Sequence, residues 1–264
     1  MSVRTRIERV GARTLDFFSA AAFLWSVFAK TLVGVFRGKR PKGEVVKQMY
    51  QIGNKSLLFV GVTLGFIGMV MVYQTCLQFG RITGDLSRVG HEFAKLLVHD
   101  LGPTLTGMML STRVGAGIAA EVGSMKVTEQ VDALRMSGVA PIDYLIVPRF
   151  IACVVMMVVL SIFGATIAYV LGGLTAANSF EVNTRIFYDL SGVNFTHLGL
   201  GLTKAIAYGM AIPIISGFCG LRAQGSSEGV GAATTAAVIG SSFAVIVLDF
   251  IISAFGLLVL GEGL

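Results

Sequence analysis

Long apolar runs separated by short polar segments dominate this chain. Four of them contain enough residues to cross a bilayer, where a helix needs about 20: residues 56–80, 150–180, 198–221 and 230–260. The first two runs carry no charge, whereas the third contains Lys204 and the fourth contains Asp249. Each of the four runs therefore predicts a transmembrane helix.

A fifth segment, residues 90–122, is more polar. Ionisable side chains are frequent in its first part, but its centre, residues 101–112, is apolar. A crossing is needed there to place the following elements on consistent sides of the membrane. We predict a spanning helix with a polar outer half.

The block at residues 15–36 allows two interpretations. It contains Asp16 and Lys30, and basic residues flank it on both sides. An amphipathic helix with a charged face lies in the plane of the membrane interface. We favour such an interfacial helix and keep a sixth span as the alternative.

The polar stretch at residues 121–149 predicts an amphipathic helix outside the membrane, at about 124–138. Ser124 can cap its N-terminus, and Gly138 followed by Pro141 can end it. An apolar stripe at helical spacing consists of Val127, Val131 and Leu134. A short helix of this kind between two spans is typical of a docking element.

The composition agrees with these patterns. Hydrophobic residues make up 54% of the 264 residues, charged residues make up 14%, and the mean hydropathy is +0.78. A soluble domain needs a more polar surface. We predict an all-α, polytopic integral membrane protein, with a basic N-terminus and interfacial helix at residues 1–48 and a transmembrane domain of five spans at residues 49–264.

The distribution of positive charge predicts the orientation. With a cytoplasmic N-terminus, 15 of the 21 lysines and arginines lie on the cytoplasmic side and five on the outer side, with Lys55 at the boundary. Cytoplasmic loops are enriched in such residues. The net charge of +6 is then explained by insertion and by anionic lipids, without a nucleic-acid partner.

Cysteine and glycine have simple interpretations. Cys76, Cys153 and Cys219 are scattered through apolar segments, so neither a disulfide framework nor a metal site is predicted. Small residues let helices approach closely in lipid. Many glycines inside the predicted spans can serve intramolecular packing, which we favour, or a dimer face: Gly61, Gly65, Gly102, Gly107, Gly115, Gly117, Gly217 and Gly220.

Four ionisable residues fall within spans: His99, Asp100, Lys204 and Asp249. A charge at the bilayer centre costs at least ~2.5 kcal/mol unless it is paired or hydrated. All four lie in the outer half or near the midplane, so we predict that they face one another or a shared hydrated cavity. Pro103 can kink the helix beside them because it leaves the carbonyl of His99 without a donor. A Lys204–Asp249 pair that only locks two helices is an equal alternative.

The outer end of the first span combines amide and large apolar side chains: Met71, Tyr73, Gln74, Gln78 and Phe79. Such a set suits a pocket for acyl chains and a hydrated head group. An interfacial belt of aromatic and amide residues is equally compatible with it.

Catalytic and nucleotide-binding motifs are absent from the sequence. No GxxxxGK[ST], HExxH or GxSxG pattern occurs. We therefore predict a protein that is not an enzyme and that binds no cofactor or metal itself. If ATP powers it, a second protein must supply the nucleotide-binding site.

Two separated groups of residues form recognisable motifs. The first group is Gly102-Pro103, Arg113 to Gly117, Ala120 to Met125, Thr128 to Gln130, Ala133-Leu134, Met136, Pro141 and Pro148-Arg149. The second is Gly229 to Gly231, Ala233 to Thr235, Ala237-Val238, Ser241 and Leu248 to Phe250. With these motifs the chain resembles the MlaE/YrbE family of ABC transporter permeases over residues 45–257.

The resemblance implies a homodimeric permease of the bacterial inner membrane that moves phospholipid between inner and outer membranes. Its implied partners are a cytoplasmic ABC ATPase that uses ATP and Mg²⁺, a periplasmic MCE-domain protein and, in some systems, a STAS-domain protein. In such a permease the segment between spans two and three contacts the ATPase, through candidates Glu121, Lys126, Glu129, Gln130 and Arg135. Gln74 would belong to the lipid-pocket span.

The sequence departs from a well-known family member in two places. His99-Asp100 replaces an Arg-Glu pair, and the stretch from Thr75 to Phe79 differs, which leaves a sterol or another lipid open as cargo. Two other function classes also stay open: an ion-coupled secondary transporter of lipid or small molecules, and a membrane scaffold for a soluble complex.

Overall fold

The computed structural model describes residues 3–37, 43–82, 84–189 and 193–260. Every regular element in these ranges is helical. The longest are α1 (Val3–Arg37), α2 (Glu44–Ile82), α7 (Val147–Phe180), α9 (Phe195–Leu221) and α10 (Ser227–Leu260). The basic residues at 38–42, part of the predicted N-terminal region, lie outside the described residues.

Shorter helices fill the connections between the long ones. They are α3 (Val89–Leu96), α4 (Gly102–Leu110), α5 (Ala116–Val127), α6 (Gln130–Met136) and α8 (Thr184–Phe187), with π-helical turns at Leu97–Leu101, Ser111–Gly115 and Ile142–Ile146. Residues 89–127 form one continuous helical segment made of α3, α4, α5 and two of these turns.

The two helices α2 and α7 pack side by side and run in the same direction. Gly53 lies against Met156, and Gly68 lies against the backbone of Ala168. Two parallel neighbours require a crossing in the opposite direction between them. The 89–127 segment supplies it.

Successive crossing segments run in alternating directions. Gly107 of the 89–127 segment lies beside both Met157 of α7 and Tyr208 of α9. Gly240 of α10 lies beside Ile215, whereas Gly256 lies beside Leu200, so α9 and α10 are antiparallel. We call the end of this bundle that carries α6 the α6 side, and the end that carries α8 the far side.

Five helical stretches are long and apolar enough to cross a membrane: Phe18–Phe36, Glu44–Ile82, Ile142–Phe180, Phe195–Leu221 and Ser227–Leu258. The 89–127 segment is not among them, because ionisable side chains and π-helical turns interrupt it. Its packing direction nevertheless makes it a crossing element. The predicted fold class, an all-α polytopic membrane protein, is confirmed.

Helix α1 lies across the α6 side of the bundle. Phe23 contacts Phe218 near the end of α9, and Gly34 contacts Asp143 and Val147 near the start of α7. Both contacts are at the same end of the bundle although they are about 16 Å apart along α1. This geometry favours an interfacial helix over a sixth span.

The glycines inside the spans pack mainly within the chain. Of the eight discussed above, seven lie within 4 Å of a neighbouring helix at the position that a Cβ would occupy, and only Gly117 faces open space there. Close approach strengthens van der Waals packing, which replaces hydrophobic burial as the force between helices in lipid. Intramolecular packing is therefore the better interpretation for these seven.

The predicted start of the helix outside the membrane is wrong. Ser124 does not cap a helix, since α5 continues to Val127 and the Ser124 carbonyl accepts hydrogen bonds from Thr128. The chain then turns at Glu129, which has a left-handed backbone, before α6 begins. The predicted end is confirmed, because Gly138 adopts a positive φ of 76° just after α6.

Candidate functional site

Lys204 is the centre of a buried ion cluster. Its side chain is 0% exposed, and its Nζ contacts a carboxylate oxygen of Asp100 and lies 2.8 Å from Oδ1 of Asp249. The three residues come from the 89–127 segment, α9 and α10. The structure therefore brings together three of the four intramembrane residues that the sequence singled out.

One oxygen of Asp249 accepts three hydrogen bonds. The donors are Nζ of Lys204 at 2.8 Å, the hydroxyl of Tyr208 at 2.7 Å and Oγ1 of Thr104 at 3.0 Å. Charge-assisted hydrogen bonds are the strong ones, and a buried carboxylate needs them. The Asp249 carboxylate is thus well supplied with hydrogen-bond donors, and the cluster links three crossing segments.

Sequence reasoning missed Tyr208 and Thr104. A signal was present, because Tyr208 lies four residues after Lys204 and Thr104 lies four residues after Asp100. Residues four apart share one face of a helix. An ionisable residue inside a span should therefore be read together with the hydroxyl groups one turn away.

The π-helical turn at Leu97–Leu101 presents Asp100 to Lys204. The N–H of Gly102 donates to the carbonyl of Leu97, five residues earlier, and Pro103 has no N–H to offer to His99. The turn widens as a result, as π-bulges do at many functional sites. The structure shows the predicted local distortion as a π-helical turn.

His99 stands beside the ion cluster rather than inside it. Its ring meets the ring of His197 edge to face, with centroids 6.1 Å apart. Its Nε2 is buried and has no hydrogen-bond partner among the described residues. Of the four residues predicted to face one another or a shared hydrated cavity, three are in direct contact and His99 lies beside them.

An apolar cavity of about 390 Å³ lies next to the cluster. Its walls come from residues 94–103, from α7 and from the start of α9. The polar groups that it contains are Ser161, Thr166 and Tyr169. Its volume falls in the range of about 300–1,000 Å³ that is typical of small-molecule sites.

The predicted pocket residues lie on a different surface. Gln74 and Gln78 are exposed on α2, one turn apart, and Tyr73 packs against Phe180 with ring centroids 5.3 Å apart. Met71 and Phe79 are half-buried against the core. None of the five lines the 390 Å³ cavity, so the pocket on α2 stays a prediction.

The predicted ATPase-contact segment presents several exposed side chains. Glu129 and Gln130 are exposed at the start of α6, and Met136 at its end is 91% exposed. These side chains are available to a partner on the α6 side.

Two of the predicted contact residues are engaged within the chain. Lys126 Nζ lies 2.7 Å from Oδ2 of Asp132, and Arg135 lies 3.1 Å from its Oδ1. The hydrogen bond from Lys126 holds the pKa of Asp132 below its usual value, and the charges of Lys126 and Arg135 act in the same direction. The Lys126–Asp132 pair fastens α6 to the end of α5, and the Arg135–Asp132 pair lies within α6.

Glu121 is also engaged. Its Oε1 lies 2.6 Å from a terminal nitrogen of Arg149, which is itself buried at the start of α7. This ion pair joins α5 to α7 across the base of the predicted docking segment.

Val131 anchors α6 in the bundle. It is 0% exposed and belongs to a cluster with Val27, Leu145, Ile146, Phe150 and Ile214. The cluster joins α1, α7 and α9. A force applied to α6 would thus reach three long helices through Val131 and through Leu134, which also packs against this cluster.

A family model described as "Permease MlaE" matches residues 45–255 of this chain. The match covers α2, the 89–127 segment, α7, α9 and most of α10, and it includes the ion cluster and α6.

Individual relatives are similar over most of their length. The intermembrane phospholipid transport system permease protein MlaE of Haemophilus influenzae is 33% identical over 251 residues, 94% of this chain and 96% of the relative. A probable ABC transporter permease protein of Rickettsia bellii is 36% identical over 92% of this chain and 95% of its own. One from Synechocystis is 35% identical over 83% and 84%.

Proposed function

Because the chain belongs to the MlaE family of ABC transporter permeases, we propose that it is a permease subunit that moves phospholipid between the inner and outer membranes of a bacterium. A separate ATPase subunit supplies the energy. The choice of phospholipid is supported by the name of the Haemophilus relative, which aligns with nearly the whole chain.

The proposed coupling to an ATPase is supported by the position of α6. It lies at one end of the bundle with an exposed polar surface, while Val131 on its other face is buried among three long helices. A nucleotide-driven movement of a partner on this surface would therefore displace the crossing helices. ATP and Mg²⁺ are used by that partner.

The proposal assigns different roles to the predicted contact residues. Glu129 and Gln130 meet the ATPase directly, because they are exposed and lie at the bend before α6. Glu121, Lys126 and Arg135 hold the segment in shape through ion pairs with Arg149 and Asp132.

Family membership also supports a proposal for the remaining partners. We propose a homodimer in the inner membrane with the N-terminus and α6 in the cytoplasm, a periplasmic MCE-domain protein on the far side and, where the system has one, a STAS-domain protein on the ATPase. The lipid pocket would lie at the far-side end of α2, around Gln74 and Gln78. The ion cluster at Lys204 would hold the neighbouring helices together while cargo enters.

Reconstitution tests this function. The purified protein, alone or with its ATPase, is placed in donor liposomes with labelled phospholipid, and transfer to an acceptor is followed. We expect transfer that requires ATP and the ATPase. Transfer driven by a proton gradient without the ATPase would instead indicate a secondary transporter, and unaltered ATPase binding without any transfer would indicate a scaffold.

A further inference from the structure

A basic cavity lies on the α6 side where α2, the 89–127 segment and α7 meet. Its volume is about 170 Å³, and its lining includes Lys55, Arg113 and Arg149. Glu121 is the one carboxylate in that lining, which leaves a formal charge of +2. An excess of positive charge in a concave site favours an anion.

Each of the three cations lies at the end of an apolar run. Lys55 and Arg149 directly precede the runs of α2 and α7, at the junctions 55/56 and 149/150, and Arg113 directly follows the apolar centre of the 89–127 segment. They are spread along the bundle: Arg113 reaches Ser56 beside Lys55, whereas Arg149 reaches Glu121, two turns after Arg113. The ends of apolar runs lie towards the head groups of the membrane, where lipid phosphates are found.

Arg149 is the most buried of the three cations. Its side chain is 5% exposed, one terminal nitrogen pairs with Glu121 at 2.6 Å and the other donates to the carbonyl of Leu145. Its Nε is buried and has no partner among the described residues. An unpaired donor of a buried charged group is costly.

The other two cations also have free donor capacity. Arg113 donates to Ser56 through one nitrogen and has five donors in all. Lys55 is exposed at the rim and forms no ion pair with any described residue. Gln51, also exposed, adds an amide to the rim. Guanidinium and ammonium groups together suit a phosphate.

A separate apolar groove lies further along α2 and begins within one turn of Lys55. It has a volume of about 510 Å³, lies between α2 and α7 and is lined by residues that include Leu58, Val62 and Phe163. Leu58 and Val62 follow Lys55 by three and seven residues, so they lie on the same helix face. A ligand with a phosphate and an adjoining hydrocarbon chain matches both parts.

We propose that the basic cavity binds the phosphate of a phospholipid in the leaflet on the α6 side, with an acyl chain in the adjoining groove. Under the proposed topology this is the cytoplasmic leaflet. The inference goes beyond the proposed function, because it assigns a second lipid contact at the opposite end of α2 from Gln74 and Gln78. The binding requires neither ATP nor a partner.

Site-specific photocrosslinking tests the proposal. The photoreactive residue p-benzoylphenylalanine replaces Gln51, and the full-length protein is placed in nanodiscs that contain alkyne-tagged phosphatidylglycerol. We expect a crosslink that falls about tenfold for each charged contact removed, in Lys55→Gln and in Lys55→Gln/Arg113→Gln. The matched control is Lys47→Gln, which removes an exposed lysine two turns earlier on the same helix and outside the cavity.

Two further ligands decide whether the phosphate belongs to a lipid. Alkyne-tagged diacylglycerol, which lacks the phosphate, should crosslink about tenfold less than phosphatidylglycerol. Inorganic phosphate at millimolar concentration should leave the lipid crosslink unchanged, because it lacks the hydrocarbon chain. Equal crosslinking of diacylglycerol, or loss of the crosslink in inorganic phosphate, would overturn the assignment.

The folding of the variants can be checked, and their results can be separated from those for the proposed function. Lys55 is exposed, so Lys55→Gln does not threaten folding, and its elution from a sizing column should match that of the unaltered protein. An undiminished crosslink in the double variant would refute the site. Failure of lipid transfer with an intact crosslink would refute the proposed function instead, which keeps the two inferences separable.

Discussion

Lys204 on α9 and Asp249 on α10 form an ion pair of 2.8 Å whose lysine is completely buried. Asp100 contacts the same ammonium group from the 89–127 segment. One positive charge therefore serves two carboxylates from different helices. Lipid cannot hydrate any of these groups. Each charge is therefore stabilised by the opposite charges within the cluster.

Replacement of Lys204 by methionine should destabilise the bundle and impair lipid transfer. The substitution leaves Asp100 and Asp249 facing each other without a cation, which typically costs about 3–5 kcal/mol. We expect a lower thermal unfolding temperature in detergent or nanodiscs and unaltered co-purification of the ATPase, since α6 is far from the cluster.

A second substitution tests the cause of that loss. Lys204→Met combined with Asp249→Asn removes one of the opposed charges and should recover part of the unfolding temperature. Lys95→Met is the matched control, because Lys95 is partly exposed and its one ion pair within the described part of the chain is with Glu92, one turn away on α3. An unfolding temperature as low in the double variant as in Lys204→Met would contradict the electrostatic explanation.

Two glycines near the start of α9 should respond differently to alanine. A Cβ at Gly201 would lie 2.1 Å from the carbonyl oxygen of Val98, whereas a Cβ at Gly199 would meet nothing within 4 Å. Gly201→Ala should therefore cost about 1–3 kcal/mol of overpacking. Gly199→Ala should be neutral or slightly stabilising, because alanine favours helix. Thermal unfolding of the two variants side by side measures the difference.

The attachment of α6 to α5 should weaken in acid. Lys126 lowers the pKa of Asp132 in the folded protein, so this contribution to stability is complete above the unfolded pKa of about 3.9 and is lost as the pH falls through the lower folded value. Hydrogen exchange of α6 amides, corrected for intrinsic rates, should show protection at neutral pH and reduced protection below about pH 4. Asp132→Asn should reduce the protection at neutral pH and remove its dependence on pH.

The sequence predicts the crossing helices and most of the ion cluster because both depend on strong local signals. Apolar runs require a membrane, and ions inside such runs require partners, so Lys204, Asp100 and Asp249 could be grouped before their contacts were known. Thr104 and Tyr208 could not be assigned with the same force. Hydroxyl groups are common in spans, and only the helix contacts show that these two reach Asp249.

The segment outside the membrane was harder to predict. Ser124 has the residue type of a cap, but packing of α5 against Ala223 and Val230 at Gly123 extends that helix past it. The bend falls instead at Glu129, a residue type that the left-handed region disfavours. Tertiary contacts thus override local capping preference, and no short sequence pattern reports them.

The Glu129 carboxylate should contribute to ATPase association. Glu129→Lys reverses an exposed charge at the start of α6, so we expect weaker co-purification of the ATPase with little change in thermal stability. Glu181→Lys is a close control: Glu181 is also exposed and left-handed, with a φ of 53°, but it lies at the far side, after α7. Equal loss of the ATPase in both variants would indicate a general effect of charge or backbone. It would contradict the assignment of Glu129 to the ATPase contact.

The side of the membrane that α6 occupies decides whether an ATPase can reach it. Met136 at the end of α6 and Thr184 in α8 are both exposed, at opposite ends of the bundle, whereas the native Cys76 and Cys153 are buried. Most of the positive charge lies on the α6 side, which the charge rule assigns to the cytoplasm. A membrane-impermeant maleimide should therefore label Thr184→Cys in intact spheroplasts and Met136→Cys only after lysis, each measured against the unaltered protein to allow for the half-buried Cys219. Labelling of Met136→Cys in intact spheroplasts would place α6 beyond the reach of any cytoplasmic ATPase, because the five crossings alternate in direction and fix both ends together.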